Sequence, residues 1–94
     1  MKRTPIHPGE ILGDELEEIS LSKAELARVI DVPINRVTQI IAGKRAISAD
    51  TALRLGQYFG TSADFWMNLQ KMYELDVAWQ EMGDRIALIP QRAS

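Results

Sequence analysis

Apolar residues recur at intervals of three and four along most of the chain, and Pro and Gly interrupt that rhythm at spacings suited to short helices. Ile11, Leu12, Leu16 and Ile19 fall on one face of a first helix over about 8–19. Pro8 suits its first turn, where a missing N–H costs nothing, and Glu10, Asp14 and Glu15 lie toward the positive end of its dipole. Ser22 followed by Glu25 spells a capping box, and Leu26, Ala27 and Ile30 form the inner face of a second helix over about 23–30. Asp31-Val32-Pro33 ends it, because a residue before proline is pushed away from helical angles. A third helix over about 34–42 stops at Gly43, which suits a left-handed cap. Ser48 caps a fourth over about 49–59, closed by Gly60, and Ser62 opens a fifth that can run to Met82, before Gly83. No alternating stretch appears before residue 84, and Arg85–Pro90 can form one short strand closed by its proline. The pattern predicts an all-α, five-helix domain over 1–83 and a short tail over 84–94.

The second and third helices are joined by only about three residues, a joint that forces a steep crossing and yields a helix-turn-helix over about 23–42. Ala27 is small where the third helix passes over the second, and Val32, Val37 and Ile40 fix the crossing. The turn calls for a residue with positive φ. Asp31 stands there, tolerating that conformation at a cost of roughly 1 kcal/mol. With Val37 and Ile40 inward, the third helix presents Ile34, Asn35, Arg36, Thr38, Gln39 and Ala42 outward, a face without a carboxylate. Asn and Gln can bond adenine edges bidentately, Arg can do so with guanine, and apolar groups can touch thymine methyls. Lys44 and Arg45 beyond its end, and Ser22 with Lys23 at the start of the second helix, are placed for DNA phosphates. Free N–H groups at that helix start can hold another phosphate.

The chain has 94 residues, enough for one modest core, and its 46% hydrophobic and 26% charged content is that of a globular protein. It contains no cysteine, which excludes disulfides, thiolate metal sites and cysteine nucleophiles. No apolar run reaches membrane-span length and the N-terminus lacks a signal peptide's apolar core, so a cytoplasmic protein without membrane association is expected. A net charge of −2 argues mildly against nucleic acid. The charge is unevenly spread, however. Residues 20–47 hold five basic and two acidic groups, whereas residues 1–19 hold two basic and five acidic.

The order His7-Pro8-Gly9-Glu10, then LSKAELARVIDVPINRVTQIIAGKRAISADTALRLGQYFGTSADFW, resembles the HigA-type antitoxins of toxin–antitoxin modules, within the Xre and Cro/C1 repressor group. It covers about residues 6–77. The resemblance implies a lambda-repressor-like fold and a dimer that represses its own promoter by binding operator DNA. It also implies a small mRNA-cleaving toxin as partner, neutralised by complex formation. On this chain the family's base-reading positions fall on Asn35, Arg36, Thr38 and Gln39, with Ile34 at the helix start, and its phosphate positions on Ser22, Lys23 and Lys44. Asp31 at the turn and everything after Ala78 depart from the family pattern, which leaves the mode of dimerisation open.

His7, the one histidine, stands where an N-cap would lie and has no partner for a metal site. Asp14, Glu15, Glu17 and Glu18 diverge around their helix as a solvated face does, and neither a nucleophile motif nor a phosphate loop appears. No enzyme activity, cofactor or metal is therefore expected. On the fifth helix Phe65, Trp66, Leu69, Met72 and Tyr73 gather as a core face, while Leu75, Ala78, Trp79 and Met82 form a second stripe. Leu75, Trp79 and Met82, with Ile86 and Leu88 of the tail, are the expected homodimer seam. The alternative is a tail folded back over Trp79. Functionally, the alternatives to an antitoxin are a stand-alone phage-type or metabolic repressor, and a protein-interaction module without DNA binding.

Overall fold

The computed structural model describes residues 3–93. It contains five helices: α1 (Pro8–Glu18), α2 (Lys23–Ile30), α3 (Ile34–Ile41), α4 (Ala49–Phe59) and α5 (Ala63–Ile86). Four of the five have side-chain N-caps. His7 accepts from the Gly9 N–H, Ser22 from Glu25, Ser48 from Thr51 and Ser62 from Phe65. Each satisfies a donor that a helix start otherwise leaves unpaired. Only α3 lacks one, because Pro33 occupies its cap position.

The core gathers Leu12 and Leu16 of α1, Leu26, Ala27 and Ile30 of α2, and Val37 and Ile40 of α3, closed by Ile47, Ala52, Leu55 and Trp66. The Trp66 ring lies against Phe59 and Phe65, and its indole N–H donates to the Thr61 hydroxyl at 3.1 Å. Helices 1–4 and the first half of α5 thus form one packed body. The rest of α5 projects from it and stretches the molecule to 52 × 25 × 22 Å.

Three sequence expectations change in α5. The helix does not end before Gly83 but runs to Ile86. Gly83 lies under the Trp79 ring one turn earlier, and a Cβ there would come within 3.1 Å of it, so this glycine makes room within the helix rather than ending it. The strand over 85–90 is also absent: Ala87 bonds back to Gly83, Leu88 to Arg85 and Ile89 to Ile86, which consumes the backbone groups a strand would pair. Finally, the expected core face of α5 holds only in part: Trp66 is in the core, Leu69 packs against it and Tyr73 meets His7, whereas Phe65 and Met72 stay exposed and the polar Gln70 and Asp76 are buried instead. Gln70 and Asp76 are polar, so apolar spacing could not reveal their share of that face.

Candidate nucleic-acid interface

The α2–α3 joint is a helix-turn-helix turn. Asp31 adopts the left-handed conformation at φ 60 and ψ 53, its N–H bonds to Arg28, and the Val32 N–H bonds to Ala27 at 3.0 Å. At the other end of α3, Gly43 is left-handed at φ 77, and the Gly43 and Lys44 N–H groups return to Ile40 and Gln39. α1 fixes α3 from beneath. Gly9 lies so close to the Ile40 carbonyl that a Cβ on it would overlap the oxygen. His7, capping α1, has Gly43 beside its ring and meets Tyr73 of α5 edge-on at 4.8 Å. Burial lowers the His7 pKa, opposed by the Glu10 carboxylate and a hydrogen bond to the Arg45 backbone. The residues His7, Pro8 and Gly9 therefore form the seat of the third helix.

At about 100° per residue, the direction opposite Val37 and Ile40 falls on Asn35 and Ala42, with Thr38 and Gln39 next to it. Asn35 and Gln39 are exposed, and Ile34 is 46% exposed on one flank. Thr38 is half-buried and donates its hydroxyl proton to the Asn35 carbonyl at 3.2 Å. Gln39 accepts from Arg45 at 3.3 Å, which joins one expected base reader to one expected phosphate ligand. Arg36 differs. It lies on the other flank, about 110° from the outward direction, and its guanidinium binds Asp50 at the start of α4.

The groups expected to hold phosphates differ in their surroundings. Lys23, Lys44 and Arg45 are exposed, and the ion pairs among the described residues engage Arg3, Arg36 and Arg54 instead. Ser22, however, is committed to a complete capping box: its Oγ accepts from the Glu25 N–H, and the Glu25 carboxylate accepts from the Ser22 N–H, both at 3.1 Å. These bonds hold the Glu25 carboxyl below its usual range. Of the donors at this helix start, Lys23 and Ala24 keep free N–H groups, beside a carboxylate that repels phosphate. The expected anion site is narrower than the sequence suggested.

Three residues that motif reading missed support the interface. Arg54 of α4 donates to the Ile30 and Asp31 carbonyls at 2.8 and 3.2 Å and also grips Asp50. Gln70 of α5 is buried and accepts from the Ile47 N–H at 2.8 Å, pinning the loop that carries Lys44 and Arg45. Asp50 was readable only as an acidic residue in a first helical turn; Arg54 and Gln70 carried no local signal. Of the expected dimer residues, Leu75 is 60% and Leu88 82% exposed, Met82 and Ile86 are also exposed, and Trp79 is half-buried along its own helix. Trp79 is not covered by a folded-back tail, since residues 87–93 are all exposed. Among the described residues, no helix is long and apolar enough to cross a membrane and no acidic or histidine cluster could hold a metal ion.

A helix-turn-helix family model matches residues 12–66 of the chain. Virulence-associated protein I of Dichelobacter nodosus is 44% identical over 86 residues, spanning 90% of this chain and 80% of that protein. An addiction module antidote protein of the HigA family from Coxiella burnetii superposes with a TM-score of 0.91 at 45% identity, covering 99% of this chain and all of the other. The Pseudomonas aeruginosa antitoxin HigA, solved with the higBA promoter, gives 0.90 at 50% identity over 96% of this chain and all of the other.

Proposed function

The chain belongs to the helix-turn-helix family and, within it, to the HigA-type antitoxins, and from that premise we propose that it is an operator-binding autorepressor that also neutralises a small toxin. The observation that carries the DNA-binding half is the exposed, carboxylate-free outer face of α3, held by a packed helix-turn-helix whose first helix carries a complete capping box. Asn35, Thr38 and Gln39 are the base readers, with Ile34 touching thymine methyls, and Lys23, Lys44 and Arg45 hold phosphates. The superposable Pseudomonas antitoxin was solved with promoter DNA, which supports this assignment.

One such module makes few phosphate contacts and binds weakly. Two modules about 34 Å apart reach successive major grooves. The exposed apolar residues of distal α5, Leu75, Met82 and Ile86, support a seam between two copies. The toxin half rests on family membership together with the acidic α1, whose Glu10, Asp14, Glu15, Glu17 and Glu18 are exposed and would complement a basic partner.

A mobility-shift titration on the DNA upstream of its own gene tests the assignment. Each good bidentate contact contributes about 1–3 kcal/mol of discrimination. Asn35→Ala/Gln39→Ala should therefore lose about 100-fold on that DNA and little on random DNA. Equal, weak binding of both proteins to both DNAs would contradict it. Co-purification with the product of the adjacent gene tests the toxin half, and operator binding without capture would leave a stand-alone repressor.

A further inference from the structure

The side chain of Arg36 is enclosed by a charged relay that runs across three helices. Its guanidinium binds the Asp50 carboxylate on α4. The same carboxylate accepts from Arg54 Nε, at 3.2 Å to one oxygen and 3.1 Å to the other. Arg54 in turn donates from Nη1 to the last carbonyl of α2, at Ile30, and to that of the left-handed Asp31. The relay therefore connects the end of the second helix, the turn and the third helix to one point on the fourth. Asp50 is itself solvent-exposed, so it is not there to fill the core. Its carboxylate neutralises a cation that would otherwise lie beside DNA.

We propose that Asp50 is a positioning residue of the DNA interface: acting through Arg36 and Arg54, it sets the angle at which α3 is presented and withholds Arg36 from the bases. This rests on the DNA-binding assignment above. It changes the role of Arg36 from base reader to clamp. It also gives operator discrimination a determinant that touches no DNA.

Removing the clamp should produce two effects of opposite sign. Asp50→Ala releases the Arg36 guanidinium, leaves Arg54 held only by the Ile30 and Asp31 carbonyls and deletes a negative charge, so affinity for random DNA should rise and its salt dependence steepen by about one unit. Preference for the operator should meanwhile fall about tenfold, since Asn35, Thr38 and Gln39 then lose their common alignment. A variant that merely loosened the fold would weaken both kinds of binding.

The test measures wild type, Arg36→Ala, Asp50→Ala, Asp50→Asn, Asp50→Glu and the Arg36→Ala/Asp50→Ala double variant by fluorescence anisotropy. The DNAs are the upstream operator, a set of operators each with one substituted base pair, and random DNA. The expected results are a flattened discrimination profile across several base pairs for Asp50→Ala and Asp50→Asn, recovery in Asp50→Glu, and a double variant no worse than either single. The proposal is overturned if Arg36→Ala loses discrimination at one base pair while Asp50→Ala reads the operator as wild type does, because Arg36 would then be a direct reader. If wild type discriminates and all Asp50 variants discriminate equally well, the clamp alone falls. If wild type shows no preference for the operator, the DNA-binding assignment falls and the clamp with it.

Discussion

The two ends of this molecule solve the same problem differently. In the segment from α1 to α4 the buried apolar stripes meet within one chain and three of the four helix starts are capped by a side chain two or three residues away, although Val29, Leu53 and Tyr58 stay exposed. In distal α5, Leu75, Met82 and Ile86 face solvent, and the Trp79 ring lies over Gly83 of its own helix. The first region builds its whole core within one chain. The second region leaves apolar surface that a small domain does not expose without a use. On the proposed reading, base recognition is built into the packed module, while the means of pairing two modules lies on a projecting arm.

That contrast is open to test at both ends, and the rigid end should respond most. Gly9→Ala drives a Cβ into the Ile40 carbonyl and should destabilise the fold by about 3 kcal/mol or more, displacing α3. A thermal melt together with loss of operator binding would register it, and an unchanged melt would mean that α1 does not seat α3.

Leu75→Glu with Met82→Glu should instead leave the far-UV circular dichroism spectrum unchanged and weaken self-association by about 2 kcal/mol, roughly 30-fold. Sedimentation equilibrium would detect that, and an unaltered association constant would place the seam elsewhere.

His7 supplies a subtler probe. Its Nδ1 accepts from the Gly9 N–H at 2.9 Å, so protonation there must break the α1 cap. Because burial lowers the folded pKa below the usual 6.5, the unfolded chain binds the proton more readily. Stability should be full above about pH 6.5 and fall as pH drops toward the folded value, by at most one proton's slope, about 1.4 kcal/mol per pH unit. Denaturant melts across that range should show the decline, and His7→Asn, which retains a cap acceptor, should flatten it. A decline of equal slope in His7→Asn would assign it to other groups.

The smallest effect is expected at the turn. Asp31→Gly relieves a left-handed non-glycine residue but loosens the unfolded chain, for a net gain of a few tenths of a kcal/mol. A clear loss of stability would show that the Asp31 side chain contributes something the backbone geometry does not reveal.

The same contrast governs what could be read in the sequence. The ends of α1–α4 were legible to within about a residue because Ser22, Ser48, Pro33, Gly43 and Gly60 act locally, and the Val37 and Ile40 anchors fixed which face of α3 points out. His7 was likewise readable as a cap. What stayed hidden was non-local. Arg54 binds carbonyls more than twenty residues away, Gln70 reaches the Ile47 N–H, and Asp50 takes Arg36 off the outer flank of α3. Gly83 misled for a related reason: glycine ends helices and also admits close neighbours, and only the position of the Trp79 ring distinguishes the two. The Ile86, Leu88 and Ile89 pattern suggested a strand because alternation over so few residues fits a helical end equally well.

The central claim is that the functional unit consists of two rigid reading modules joined through their arms. It is tested most directly by moving the half-sites. After footprinting locates them in the upstream DNA, five base pairs inserted between the half-sites should turn one of them to the opposite face of the duplex. Affinity should then fall about 100-fold to that of a single module, whereas ten inserted pairs should cost less. Unchanged affinity with five inserted pairs, or one chain bound per operator, would contradict the account.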